Sequence, residues 1–122
     1  MTPLSFLNTL SSPASVHGAP FGYDLLALIE ALETRAKDAR GTALYVARDD
    51  KAAAAALKLV AFYRPSLKTV WLPGWDVLPY DRVSPSPAVA AARCAGLAEL
   101  AQRSDTKQPA LVITTASSLV QR

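Results

Sequence analysis

The stretch that decides the fold is GTALYVARDDKAAAAALKLVAFYRPSLKTVWLP, residues 41–73. Its first part, 43–47, is an apolar run without polar alternation, which predicts a strand buried on both faces. Asp49 and Asp50 follow as candidate N-caps for a helix over 51–63, because a carboxylate there accepts hydrogen bonds from free backbone amides. A second β-type run closes the stretch. It therefore predicts strand, helix and strand, the unit from which parallel sheets are built.

The same alternation continues on both sides of this unit. Before it, apolar residues at i, i+3, i+4 and i+7 predict a helix over 22–39, and residues 14–17 are a candidate strand. After it, a Ser-Pro pair starts a helix over 86–101, and 110–114 is a third buried strand. A serine at 117–118 is positioned to cap a further helix. The sequence predicts an α/β fold, an open and mostly parallel sheet with flanking helices.

The totals indicate one domain, residues 1–122, with a flexible N-terminal segment over 1–12. Half of the chain, 51%, is hydrophobic, which suffices for one core, and the net charge of +3 comes from scattered side chains instead of a basic stripe. One cysteine and the lack of a signal peptide or membrane span favour the cytoplasm. Because the last strand and helix start fall at the end of the chain, we expect a truncated domain.

The turn at 18–24, GAPFGYD, is where such a fold would hold a nucleotide phosphate. A phosphate-binding loop needs GxxxxGK[ST], with a lysine for the phosphates and a hydroxyl for magnesium. Gly18 and Gly22 are one residue too close for that pattern, and Tyr23 and Asp24 replace the lysine and the hydroxyl. The sequence thus predicts no ATP, magnesium or other cofactor here, and an ordinary turn in which glycines supply unusual backbone angles.

The most informative segment is the proline-rich connection 73–87. A connection of this length inside a domain usually packs or binds something. We expect Trp75 and Tyr80 to anchor it to the core. Asp76 and Asp81 are candidates to hold its turn by hydrogen bonds, together with Arg82. These residues predict one of two roles for the connection. It is either a rigid structural link or a contact surface for nucleic acid or a neighbouring domain.

This segment and the helix after it, LPGWDVLPYDRVSPSPAVAAARCAGLAEL, resemble the N-terminal pattern of the bacterial transcription-repair coupling factors, the Mfd family. The matching positions are Trp75, Leu78, Pro79, Tyr80, Asp81, Ser84, Pro85, Arg93, Leu97 and Leu100. The ending LVITTASSLVQR is similar to the family's strand and helix start, through Leu119, Gln121 and Arg122. The resemblance covers the chain from about residue 4.

The resemblance implies a degenerate RecA-like domain, similar to domain 1a of the repair protein UvrB but without its ATP-binding loop. It implies that the parent protein is an ATP-dependent DNA translocase, which displaces stalled RNA polymerase and recruits UvrA. This chain would be part of its scaffold, in contact with other domains of the same polypeptide. No catalytic residue of the family falls on it, so the ATP, magnesium and DNA of the parent would be bound elsewhere.

Two other functions stay open from the residues alone. One is a small free-standing α/β enzyme, although no acid, base and nucleophile converge in the sequence, and His17 lacks partners for a metal. The other is weak single-stranded DNA binding through Trp75, Tyr80 and Arg82. Among single residues, we expect Cys94 to be a small buried side chain, and Arg93 to form a salt bridge with Asp81.

Overall fold

In a computed structural model, the described residues are 13, 15–36, 41–78, 80–103 and 108–121. They form a three-stranded, all-parallel open sheet with flanking helices, which confirms the predicted α/β class. The elements in chain order are α1 (Tyr23–Ala36), β1 (Thr42–Ala47), α2 (Asp50–Tyr63), β2 (Lys68–Leu72), α3 (Pro87–Gln102), β3 (Ala110–Thr115) and α4 (Ala116–Val120). The proposed flexible segment 1–12 lies outside the described residues.

The strand order is β1-β3-β2, so the last strand lies between the first two. All six residues of β3 are buried. On one face of the sheet its Leu111 and Ile113 pack under α1 and α2, together with Leu25, Ile29 and Val60. This is the main core of the domain, and it uses the apolar face that the spacing in α1 predicted.

The opposite face carries α3, which packs over β2. The contact is close at Gly96, where a β-carbon would lie 2.6 Å from the carbonyl oxygen of Trp71 and 2.7 Å from Cδ2 of Leu72. Glycine at this position lets the helix backbone approach the strand backbone. The sheet is therefore covered most fully along β3, whose six residues are all buried.

The first strand differs from its prediction. Residues 43–47 read as a strand buried on both faces, but the side chains of Leu44 and Val46 are 51% and 43% exposed. The physical reason is position, because β1 is an edge strand and α3 packs over β2 on that face. An apolar run indicates a buried strand only when neighbours cover it.

Two helices, α2 and α3, begin at the caps that the sequence predicts, and α4 does not. Asp49 caps α2 by accepting from the amide of Ala52 at 2.8 Å, and Ser86 caps α3 by accepting from Val89. The cap of α4 is Thr115 instead of a serine at 117–118, since the helix begins directly at the end of β3. Of the candidate strand 14–17, the described residues 15–17 are not in a strand.

Candidate interaction loop

The connection between β2 and α3, residues 73–86, is the β2–α3 loop. It leaves the carboxyl end of β2, at the edge of the sheet where α/β proteins usually hold ligands. Its first residues are fixed to the end of the described chain. The amide of Trp75 donates to Oε1 of Gln121 at 2.6 Å, and Nε2 of Gln121 donates to the carbonyl oxygen of Trp75 at 3.3 Å. These bonds join residues that lie 46 positions apart.

Arg93 holds three segments together. Its Nη1 donates to the carbonyl oxygen of Pro73 at 2.8 Å and to the hydroxyl of Ser118 at 2.9 Å. Its guanidinium carbon lies 5.1 Å from the centre of the Trp75 ring, a cation–π contact. The expected salt bridge to Asp81 is wrong, because the guanidinium is directed to the start of the loop while Asp81 bonds within the loop.

A second attachment closes the loop at its far end. The carboxylate of Asp76 accepts from the amide of Ser86, at 3.1 Å for Oδ1 and 3.3 Å for Oδ2. Hydrogen bonds from the Ser86 side chain and backbone lower the pKa of Asp76 below its usual value of 3.8. Since Ser86 is also the N-cap of α3, the carboxylate couples the loop to the start of that helix.

The pKa of Asp76 predicts how the loop responds to acid. A depressed carboxyl pKa contributes stability above the usual value, and this contribution is lost as the pH falls from about 3.8 through the lower folded pKa. We expect Asp76→Asn to flatten that part of the acid limb in urea unfolding curves measured across pH. Asp50→Asn, a first-turn variant of α2, serves as the control. A wild-type slope in Asp76→Asn would contradict the assignment.

The tip of the loop is a short turn held by Asp81. The amide of Asp81 donates to the carbonyl oxygen of Leu78 at 3.0 Å, and Oδ2 of Asp81 accepts from the amide of Leu78 at 3.1 Å. Between them, Tyr80 is 97% exposed, so the expectation that it anchors the loop is wrong. Pro79 lies outside the described residues. Asp76 and Asp81 thus hold the loop by hydrogen bonds, as the sequence predicts.

Three of the exposed residues at this turn have large apolar side chains. Leu78 is 71% exposed and Val83 is 69% exposed, beside the almost fully exposed Tyr80. Arg82 and Ser84 are exposed as well, and Pro85 is half-buried. We call Leu78, Tyr80, Arg82 and Val83 the loop tip. An aromatic and two aliphatic side chains held outside the core on an anchored loop are the kind of surface that contacts a protein partner.

The turn at 18–24 lies at the carboxyl end of β1. Gly18 and Gly22 have φ angles of +75° and +81°, which confirms that they supply left-handed backbone. A cleft of about 390 Å³ lies beside the turn, lined by His17, Asp24 and Tyr45 among others. Tyr23 and Asp24 form the first turn of α1. Asp24 lines this cleft with a carboxylate, and its negative charge would repel a phosphate group.

Tyr45 and Asp24 form a pair at this cleft. The phenol donates to Oδ2 of Asp24 at 2.9 Å. Burial, and then the hydrogen bond and negative charge of Asp24, raise the pKa of Tyr45 from 10.0 to about 12. Burial and a nearby carboxylate both disfavour the phenolate.

We expect one of the four tyrosines to ionise late in a titration followed by phenolate absorbance. Because the folded pKa of Tyr45 is the higher one, its contribution to stability is present below pH 10.0 and is lost as the pH rises toward about 12. Tyr45→Phe is expected to remove the late step. If the step persists in that variant, the assignment to Tyr45 is wrong.

Three further side chains differ from what the sequence indicates. Cys94 is exposed on α3, so its expected burial is wrong. The side chains that sequence reasoning missed are Ser118 and Gln121 in their role as partners of the loop, because nothing in the sequence near them points to residues 73–75.

Within the described ranges, no group of three or more His, Cys, Asp or Glu side chains could hold a metal ion. No described helix is long and apolar enough to cross a membrane.

We compared the chain with models of protein families, with curated proteins and with solved structures, and none of them matches it.

Proposed function

We propose that this chain is an N-terminal scaffold and interaction domain of a transcription-coupled DNA repair translocase, a protein that displaces stalled RNA polymerase and recruits UvrA. In this proposal the domain hydrolyses no ATP itself. The loop tip contacts another domain of the same polypeptide, and through that contact the domain positions the parts of the parent that bind UvrA and polymerase. The parent would act in the cytoplasm.

The observation that carries the proposal is the anchored loop with an exposed apolar tip. Asp76 and Arg93 attach the base of the loop to α3, and Trp75 is bonded to Gln121, the residue directly after α4. Tyr80 is nevertheless 97% exposed. Fixing a loop in this way reduces the entropy that it loses on binding, which favours a contact surface over a simple connection.

A second observation supports the family resemblance. The two segments that carry it, residues 72–100 and 111–122, are hydrogen-bonded to each other between residues that lie 46 and 25 positions apart. Gln121 belongs to the second segment and bonds Trp75 of the first, while Arg93 of the first bonds Ser118 of the second. Because the two segments form one hydrogen-bonded unit in the fold, there is a physical reason for both motifs to occur in the same chain.

The test begins with the size of the polypeptide in cells. An antibody raised against this chain should detect a band above roughly 100 kDa, well beyond the scale of one domain. Affinity purification of that polypeptide should recover UvrA and RNA polymerase. A band near 13.0 kDa, the mass of this chain alone, would refute the proposal.

The role of the loop tip is tested in the parent polypeptide. We expect the double variant Leu78→Ala, Tyr80→Ala to loosen the packing of this domain on its neighbour, seen as faster proteolysis between them. Phe62→Ala is the matched control, since Phe62 is 80% exposed on α2 and is not among the positions that carry the resemblance. Both side chains of the double variant are exposed, so thermal unfolding of the isolated domain should change little. Equal proteolysis in all three proteins would contradict the tip as a contact.

Single-stranded DNA is the competing ligand for the same tip. Tyr80 and Arg82 are exposed and could stack on a base and bind a phosphate. Trp75 is less suited to this role, because it is half-buried and lies against Arg93. Salt-dependent DNA binding that disappears in Tyr80→Ala, Arg82→Ala would favour the nucleic-acid function. Magnesium-dependent ATP hydrolysis by this chain would favour an enzyme.

A further inference from the structure

One face of β1 lies uncovered among the described residues. Ala43, Tyr45 and Ala47 pack on the main core, which α1 and α2 cover. Side chains alternate along a strand, so Leu44 and Val46 lie on the opposite face of the sheet. That face carries α3, but α3 packs over β2, and Leu44 and Val46 remain 51% and 43% exposed. A further element on the α3 face would bury them.

The outer edge of the same strand has hydrogen-bonding groups that the sheet does not use. In a parallel ladder, alternate residues of an edge strand bond the neighbouring strand. The amide of Ala110 in β3 donates to the carbonyl oxygen of Gly41, so the register directs residues 43 and 45 toward β3. The amide and carbonyl groups of residues 42, 44 and 46 are therefore directed outward. Among the described residues, β1 pairs with β3 alone.

The other edge of the sheet, at β2, is protected. This strand begins with Lys68, which pairs with Glu99 on α3, and Pro73 follows directly after it. Lysine and proline at an edge oppose the addition of another strand. The sequence of β1 is TALYVA, which has no charge and no proline. Growth of the sheet is therefore favoured at β1.

The path of the chain indicates how that edge is reached. From β1 it crosses to β2 through α2 on the core face, and it returns to β3 through α3 on the opposite face. Crossovers that run in opposite directions on opposite faces have the same hand, which is right-handed in parallel sheets. The chain then leaves β3 through α4, which is bonded to α3 because Arg93 donates to the hydroxyl of Ser118. A right-handed crossover that starts on the α3 face passes over β1 and ends at its outer edge.

We propose that the segment following residue 122 in the parent polypeptide makes this crossover. It covers Leu44 and Val46 with a helix on the α3 face, and it adds a strand parallel to β1 at the free edge. This inference rests on the proposed function, because only a longer polypeptide has such a segment. One connection then satisfies the exposed side chains and the outward-directed backbone groups together.

Other connections satisfy only one of these two features. A strand joined through α1 would reach the same edge, but α1 lies on the core face and would leave Leu44 and Val46 exposed. A helix without a strand would cover those side chains and leave the outward amides bonded to water. The exposed face and the free edge together therefore select a crossover that follows α4.

Hydrogen exchange with residue-resolved mass spectrometry tests the added strand. The exchange of the parent polypeptide is compared with that of this chain alone. We expect the amides of Thr42, Leu44 and Val46 to exchange at least about tenfold more slowly in the parent, because the new strand bonds them. The amides of Ala43 and Tyr45 are the internal control, since β3 bonds them in both proteins. Their exchange should change less.

Thiol labelling tests the added helix. Leu44→Cys places a thiol at a half-exposed position, so a maleimide should label it readily in this chain alone. In the parent, we expect the peptide that carries residue 44 to be labelled at least about tenfold more slowly, because the helix covers it. Phe62→Cys is the control, since Phe62 is 80% exposed on α2 and therefore lies on the core side of the sheet. It should be labelled equally in both proteins.

Several results would overturn the proposal. A large parent in which the outward amides and residue 44 behave as in the single chain refutes the crossover and leaves the proposed function intact. A polypeptide of 13.0 kDa refutes both. Protected amides beside an accessible thiol would mean a strand without the helix, and a protected thiol beside unprotected amides would mean a helix without the strand. Protection that rises with the concentration of the single chain would show a second copy at this edge. Circular dichroism confirms that each variant has folded.

Discussion

Gly96→Ala is expected to destabilise the domain by about 2 kcal/mol, although alanine is the better helix former. The propensity gain is about 1 kcal/mol. Against it, the new methyl group would lie 2.6 Å from the carbonyl oxygen of Trp71, which is a fixed backbone atom, and 2.7 Å from Leu72. Moving α3 off the sheet costs about 3 kcal/mol, at the upper end for overpacking. Urea unfolding followed by circular dichroism measures the difference.

The control for this change is Ala95→Gly on the same helix. Ala95 is exposed, so its replacement should cost only the intrinsic propensity of about 1 kcal/mol. Gly96→Val, with a larger and β-branched side chain, should be more destabilising than Gly96→Ala. If Gly96→Ala is as stable as the wild type or more stable, then α3 does not pack on β2 as closely as described.

Arg93→Ala is expected to cost about 2–3 kcal/mol of unfolding free energy. The change removes charged hydrogen bonds to the carbonyl oxygen of Pro73 and to the hydroxyl of Ser118, and such bonds contribute about 1.5–3 kcal/mol each before exposure reduces them. It also removes the contact with the Trp75 ring. Because Arg93 joins the loop to α3 and α4, the tryptophan fluorescence of the native protein should change as well.

Arg48→Ala is the matched control, since Arg48 forms an ion pair with Asp49 but its side chain is 88% exposed. Such pairs contribute little, and the change should stay within about 0.5 kcal/mol. Arg93→Lys should recover only part of the loss, because an ammonium group lacks the planar fork that stacks and bonds at once. An Arg93→Ala protein with wild-type stability would show that the loop is held by other contacts.

These two residues bear on the proposed function in different ways. Gly96 fixes α3 on the sheet, and α3 carries Arg93 on the side of the loop. Arg93 in turn fixes the base of the loop and leaves its tip exposed. A parent polypeptide with Arg93→Ala should therefore lose the interdomain contact even though its tip residues are unchanged. If the contact is lost although the tip residues are intact, the loop must be held in place by Arg93 in order to bind. If the contact is kept, a flexible loop is sufficient.

Much of the fold could be predicted from the sequence. The alternation of apolar runs and helical spacings gave all three strands and the three long helices, with ends within a few residues. The caps at Asp49 and Ser86 followed from local chemistry, since a side chain there bonds an amide three residues away. The left-handed angles at Gly18 and Gly22 could be expected on the same ground. These features depend on neighbours within one turn of the chain.

The errors at β1, Tyr80 and Cys94 share one cause, because the burial of a residue depends on what lies beside it in space. β1 reads as buried, but the order β1-β3-β2 leaves it at the edge, with Leu44 and Val46 exposed. Tyr80 reads as an anchor and Cys94 as a buried side chain, but both are exposed. The neighbouring elements decide whether a side chain is buried. The spacing of residues along one strand or helix does not show which neighbours will cover it.

By itself the sequence determined the class of the domain, the places where α2 and α3 begin and the loop on which the candidate site lies. Local hydrogen bonds and the periodicity of apolar residues are properties of short segments, so they can be read from the chain. Only the tertiary structure decided the strand order and the partners of Arg93. Those partners come from segments 20 and 25 residues away, because β3 inserts between two earlier strands and brings α4 to the loop.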